Sequence, residues 1–243
     1  MPQSRAKRTN VSVRRGLPAT LINVCHRLAV GGYVAATDGN VSVRLPGGNI
    51  LITGSGINKG LVTERDIVEV TPDGKVVSGK RSVSTEIGMH LFIYRERPDI
   101  HAVVHAHPPT ATGFAVARVA LDESLLPEVI VNLGAIPLAS YATPSTDEVA
   151  RSIAPHVKKV QAILLANHGV VTYGHDLLDA FFKMEKVEHA AQIAFVARVL
   201  GGAVPLTAEE LQKLRRTSFG GYGVSLDDQN ARTSTRPGKH GKS

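Results

Sequence analysis

The run HAVVHAHPP places histidines at 101, 105 and 107 in an otherwise apolar segment that stops at two prolines. Read as a β-strand, it sends His101, His105 and His107 to one face and Val104 and Ala106 to the other. His105 and His107 then have Cα atoms roughly 6–7 Å apart, at about 3.3 Å per residue, close enough for two imidazoles to converge on one metal ion. His101 has the same parity but lies two pleats from His105, so it falls outside that pair. An isolated His-x-His is somewhat more often a pair of satisfied core or surface histidines. A catalytic divalent metal usually takes three protein ligands and keeps a position open, and His168 in NHG (167–169) is the candidate third ligand. Taken alone, a histidine at such a bend is equally a loop residue bonded to backbone. His189 falls on a predicted helix and His240 near the end of the chain. There is no His-Glu-x-x-His, which removes the helix-borne metalloprotease arrangement.

Glu86 opens a predicted helix after SVST. A carboxylate there compensates the helix dipole, or it serves as a general base beside a metal, with an apolar wall raising its pKa. Ser84 and Thr85 are ordinary capping residues, yet hydroxyls and amides at a helix start also form an anion site. Two glycine-rich stretches need separating. GKVVSGKR follows P-loop spacing from Gly74 to Lys80 but puts Arg81 where a magnesium-binding Ser or Thr is required. TGSGINKG carries Gly54, Gly56 and Gly60, which is not dinucleotide spacing. It can still form a loop whose amides approach a phosphate, with Lys59 nearby.

The elements that must hold these residues follow from local pattern. Pro18 to Val30 reads as a helix closed by Gly31-Gly32. NVSVRL and NILITG, joined by PGG, form a hairpin signal, and DIVEV and GKVVS around TPDG form a second. STEIGMHLFIYRER has helical period and ends before Pro98. HAVVHAH is a strand, and AILLANHGVVTYG is two strands, or one bent around NHG. Asp176 to Leu200 is a long helix with a core-facing stripe of Leu177, Phe181, Met184 and Val187. Strands meeting through hairpins predict a largely antiparallel sheet with helices packed on it.

Hydrophobic content of 43% and charged content of 20% are those of a globular protein. No apolar run reaches the roughly 18 residues that would span a bilayer. The N-terminal segment lacks the apolar stretch of a secretory signal. The single cysteine, Cys25, excludes an intramolecular disulfide. Together these predict a cytoplasmic location. The net charge of +7 points to nucleic acid only until it is mapped. Residues 1–16 and 231–243 carry nine cations and no acid, which leaves residues 17–230 near neutral at −2. We therefore expect two flexible basic tails, 1–16 and 231–243, around one domain at 17–230, with no nucleic-acid partner.

In order along the chain, GNVSVR (39–44), TGSG (53–56) with Lys59, STE (84–86), HAH (105–107), YATPST (141–146) and NHG (167–169) resemble the class II aldolase/adducin family. The likeness runs from about residue 18 to residue 226. It implies an α/β fold: a single three-layer α/β/α domain with a central, mainly antiparallel sheet. It further implies one zinc per subunit, replaceable by manganese or cobalt, held by His105, His107 and His168. Glu86 would be the acid/base group and a metal ligand when substrate is absent. Gly39, Asn40, Thr53, Gly54, Ser84 and Thr85 would hold the phosphate of a phosphorylated ketose or sugar acid, and Tyr222 resembles a mobile catalytic tyrosine. The implied activity is cleavage of a ketose 1-phosphate, fuculose 1-phosphate-like, to dihydroxyacetone phosphate and an aldehyde, in a homotetramer with interfacial active sites. Decarboxylases, dehydratases and epimerases of the same family are the alternative. Adducin-like binding heads are remote, since they lack the histidines. One departure stands out: LPEVIVNLG supplies Glu128 and Asn132 where such aldolases carry a further tyrosine.

Overall fold

The computed structural model describes residues 3–121 and 124–216. Helix α1 (Gln3–Val30) leads into β1 (Asn40–Arg44) and β2 (Ile50–Thr53), followed by two short 3-10 turns, Lys59–Leu61 and Glu64–Asp66. Next come β3 (Ile67–Val70), β4 (Val76–Ser78), α2 (Ile87–Glu96) and β5 (Ala102–Ala106). The rest is α3 (Pro109–Val116), α4 (Pro127–Asn132), β6 (Leu138–Ala139), α5 (Asp147–Val157), β7 (Ala162–Leu165), β8 (Gly169–Gly174), α6 (Leu177–Val199) and α7 (Ala208–Arg216). The helix expected to open at Pro18 begins at Gln3 instead and runs to Val30. Pro18 is tolerated inside it at the loss of one i to i−4 hydrogen bond.

Among the described residues the strands form one eight-stranded sheet, ordered β4-β3-β2-β1-β5-β8-β7-β6. Both expected hairpins pair antiparallel, with Ser42 opposite Ile52 in the first and Val70 opposite Val76 in the second. NHG is the turn between β7 and β8. Only β6 with β7 is parallel among the described pairs, so the sheet is mainly antiparallel as the resemblance implies. Period-two patterning splits it into two faces. Val41, Val43, Val104 and Val170 pack with Leu21 and Leu28 of α1 and Phe181, Met184 and Val187 of α6. Ile52, Val68, Val103 and Val171 pack with Met89 and Ile93 of α2 and Ile153 of α5. Two cores, one per face, make the three layers.

The sheet centre positions the chemistry. β5 lies between β1 and β8, with Asn40 opposite His105 and Val171 opposite His105 on the other side. His105 points to the α2 face while its neighbours Val104 and Ala106 point into the α1 and α6 core.

Candidate metal centre

β5 ends at Ala106, and the backbone of His107 is caught by the carbonyl of Tyr33 at 2.8 Å before α3 begins at Pro109. The turn opposite brings in His168. Asn167 supplies its left-handed residue at φ 55°, a conformation that Asn tolerates better than most residues. Gly169 is needed for a different reason: a Cβ there would lie 2.5 Å from His107 Cδ2 and 2.6 Å from the Ala106 carbonyl oxygen. The three imidazoles thus meet edge to face, with centroids 4.7 to 5.1 Å apart. One ring nitrogen from each of His105, His107 and His168 lies within 4.8 Å of the others. His101 is exposed and outside the group, as its position on the strand required, and His189 is exposed on α6.

Glu86 caps α2 and leans over this cluster. Its Oε2 is 3.3 Å from His105 Nε2 and accepts a 2.7 Å hydrogen bond from Asn40 Nδ2. Its Oε1 is 3.2 Å from His168 Nε2, is buried, and has no hydrogen-bond partner. Burial alone would raise the Glu86 carboxyl, but His105, His168 and the Asn40 amide together outweigh it and hold the group well below the ordinary carboxylate range. Burial pushes His105 down to about 3, against the pull of Glu86. Its Nδ1 donates to the Val170 carbonyl at 2.9 Å, so Nε2 presents a lone pair. That atom sits 3.1 Å from His107 Nε2. His107 is likewise lowered, first by burial and then by His168.

This donor set fits a divalent cation. Neutral imidazoles crowd their nitrogens together, and a buried carboxylate oxygen lacks a partner beside them. A cation shared by these atoms relieves both conditions, and three histidines leave a position open for substrate.

The remaining candidates surround the cluster. Gly39, with φ +72°, precedes β1, and a Cβ there would come 2.7 Å from the His105 carbonyl oxygen. Thr53 is fully buried and its Oγ1 accepts from Val41 N at 3.2 Å. Gly54 bridges to Val83, which lays TGSG beside the start of α2. Ser84 Oγ accepts from Glu86 N, and exposed Thr85 accepts a 2.7 Å bond from Ser145 Oγ. Lys59 is not free for an anion: it is buried, and its Nζ donates to the carbonyls of Thr37 and Ile57 at 3.0 and 2.7 Å. It fastens the loop before Gly39 instead. Tyr222 lies outside the described residues.

Two functional neighbours went unnoticed in the sequence. Asp38 Oδ2 stands 3.5 Å from His107 Nδ1, behind the ligand face of that ring. Buried His90 sits between Asn40 Oδ1 at 2.5 Å and Ser42 Oγ at 2.6 Å. The signal was present: Glu86, His90 and Tyr94 are four apart on one helix face, and Asn40 and Ser42 are two apart on one strand face.

The family model Class II Aldolase and Adducin N-terminal domain matches residues 19–195. A 3-oxo-tetronate 4-phosphate decarboxylase of Escherichia coli strain K12 is 33% identical over 211 residues, covering 84% of this chain and 97% of that protein. An L-fuculose phosphate aldolase of Methanocaldococcus jannaschii is 36% identical over 175 residues, covering 72% and 93%. The solved structure of an L-fuculose 1-phosphate aldolase superposes with a TM-score of 0.75 at 36% identity, covering 82% of this chain and 93% of that one.

Proposed function

The chain belongs to the Class II Aldolase and Adducin N-terminal domain family, and on that premise we propose that it is a metal-dependent carbon–carbon lyase cleaving a ketose 1-phosphate, fuculose 1-phosphate-like, to dihydroxyacetone phosphate and an aldehyde. The observation that carries this reading is the meeting of His105, His107 and His168 beside the unpartnered Glu86 oxygen. We assign zinc to the three histidines, with manganese or cobalt as substitutes and Glu86 as an added ligand in the substrate-free state. When bound, the cation supplies Lewis acidity that polarises a carbonyl and stabilises charge developing next to it.

The chain's own residues do the rest. The Val170 carbonyl fixes the His105 ring through Nδ1, so its other nitrogen stays unprotonated and aimed at the centre. Glu86, anionic and anchored through Oε2 by Asn40, offers Oε1 to accept or return a proton at the carbon that carries developing charge. Gly39, Asn40, Thr53, Gly54, Ser84 and Thr85 are assigned to the phosphate end. Their loops are joined by the Gly54 bridge and the Asn40–Glu86 bond, and anchoring that end sets the reacting geometry on binding. We place the activity in residues 17–230. Tyr222 remains our assignment for a second proton-transfer group.

Decarboxylation of a phosphorylated 3-oxo sugar acid is the second reading, favoured by the E. coli relative that this chain covers almost end to end. It too breaks a carbon–carbon bond next to a carbonyl, and release of carbon dioxide needs no base to take a proton from a hydroxyl that becomes an aldehyde. The test is incubation of the zinc-loaded full chain with fuculose 1-phosphate and, separately, with 3-oxo-tetronate 4-phosphate. Release of dihydroxyacetone phosphate together with an aldehyde from fuculose 1-phosphate supports the aldolase; the aldehyde decides, because decarboxylation of the second substrate also leaves dihydroxyacetone phosphate. Carbon dioxide from the second substrate alone transfers the assignment to the decarboxylase, and neither product removes both.

We also infer a homotetramer with sites at subunit interfaces, acting in the cytoplasm. Exposed Phe195, Val196, Val199 and Leu200 on α6 are the type of surface that assembly covers. Light scattering at four chain masses supports this; one chain mass refutes it. Among the described residues, no helix is long and apolar enough to cross a membrane.

A further inference from the structure

Behind Glu86 runs a buried row of polar side chains, of which the proposed chemistry uses only the first, Asn40. Asn40 is 4% exposed, and Ser42 and His90 are fully buried. Strand β1 contributes Asn40 and Ser42 from one face. Helix α2 contributes His90 and Tyr94, with Glu86 at its cap. The two sets alternate: Asn40 bridges Glu86 and His90, and Ser42 bridges His90 and Tyr94, at 2.8 Å from the tyrosine oxygen.

The direction of every bond follows from the Asn40 amide. Its NH2 lies 2.7 Å from Glu86 Oε2, and its carbonyl oxygen Oδ1 faces His90. Oδ1 can only accept, so His90 Nε2 must carry the proton. Burial lowers the His90 imidazole and keeps it neutral, so Nδ1 is an acceptor and the Ser42 hydroxyl donates to it. Ser42 Oγ then accepts from the Tyr94 hydroxyl. All four donors point the same way, towards the carboxylate. The opposite tautomer would place two acceptors, Nε2 and Oδ1, against each other at 2.5 Å, too close for any third group to come between them.

We propose that His90 is a positioning residue: by holding the Asn40 amide in one orientation it fixes the Glu86 carboxylate with Oε2 tethered and Oε1 facing the histidine cluster. Without the His90 proton, Oδ1 loses its anchor and the Asn40 amide can swing, so the tether on Glu86 Oε2 is no longer held in one place. The carboxylate then turns away from the place where it exchanges a proton. The catalytic consequence rests on our reading of Glu86 as the acid/base group; the bond directions do not.

The closing experiment separates the two. In the full, zinc-loaded chain labelled with 15N-histidine, His90 is expected to be neutral, with its proton on Nε2 and none on Nδ1. A proton on Nδ1, or a charged imidazolium, overturns the proposal whatever the enzyme does. For turnover, His90→Leu is expected to lower kcat about 10–100-fold with zinc content and KM little changed. His90→Gln can present an amide N–H where Nε2 stood, and is expected to recover to within several-fold of the unmodified protein. Equal loss in both folded, zinc-replete variants overturns the positioning role. If the unmodified chain cleaves no phosphorylated sugar, the functional reading fails and the tautomer measurement alone decides this one.

Discussion

Glu86 holds two positions at once, beside two imidazoles and beneath an asparagine, and replacing one oxygen tells them apart. Glu86→Gln keeps the shape and the contact with Asn40's neighbourhood but cannot take a proton. We expect zinc to stay bound and turnover to fall about 10²–10⁴-fold, the usual share of a general acid–base group. Zinc loss in that variant, read by elemental analysis, would make Glu86 chiefly a ligand. His168→Ala should lose the metal itself, because His105 and His107 alone do not complete the set; full occupancy would remove His168 from the centre. Gly169→Ala tests the space behind the cluster. The added Cβ would press on both the His107 ring and the Ala106 carbonyl oxygen. The backbone yields less readily than the ring, so His107 should be displaced and zinc should be stripped at a lower chelator concentration than in the unmodified chain.

At the scale of elements, α3 follows the strand of His105 directly, and its first turn has Pro108 as cap with no side-chain bond of its own. Glu188 of α6 fills that role from across the core, accepting from Thr110 N at 3.1 Å and Ala111 N at 2.8 Å. Glu188→Ala leaves one buried and one half-buried amide without partners and is expected to cost about 2–4 kcal/mol in urea denaturation of the metal-free chain. A change below about 0.5 kcal/mol would mean that other donors and acceptors already satisfy that helix start. This contact also shows where sequence reading ran out. The hairpins, the strand of His105, the NHG turn and the stripe on α6 are local patterns of period two or 3.6, and were legible as such. Glu188 reads as one more acid on a long helix, because its partners are backbone groups 77 and 78 residues away. Lys59 read as a free cation for the same reason: only the folded loop shows its ammonium turned onto two carbonyls. The histidine triad was legible because metal ligation restricts residue type strongly. His90 was not, since one histidine inside an amphipathic helix has no such restriction until β1 is laid against it.

For the molecule as a whole, the sheet and α2 seal the Asn40–His90–Ser42 row away from water, and that ties global stability to pH. Burial pushes His90 down to about 4, only partly offset by Glu86, whereas in the unfolded chain the imidazole titrates near 6.5. Between those values the unfolded state binds a proton that the folded state refuses. Stability from this residue is therefore full above about pH 6.5 and is lost as the pH falls towards 4, where the folded state protonates too. Linkage puts the loss between pH 7 and 4.5 at about 2 kcal/mol for His90 alone. His105, lowered further by its own burial, adds to the same slope in the metal-free chain and drops out when a cation occupies its nitrogen. The comparison that isolates His90 is denaturation of the zinc-loaded protein at both pH values, with and without His90→Gln, since glutamine has nothing to titrate there. The unmodified chain should lose about 2 kcal/mol more than the variant on acidification. Equal losses would mean that the imidazole reaches solvent, or already carries its charge in the folded state. In either case the donors behind Glu86 could not all point one way.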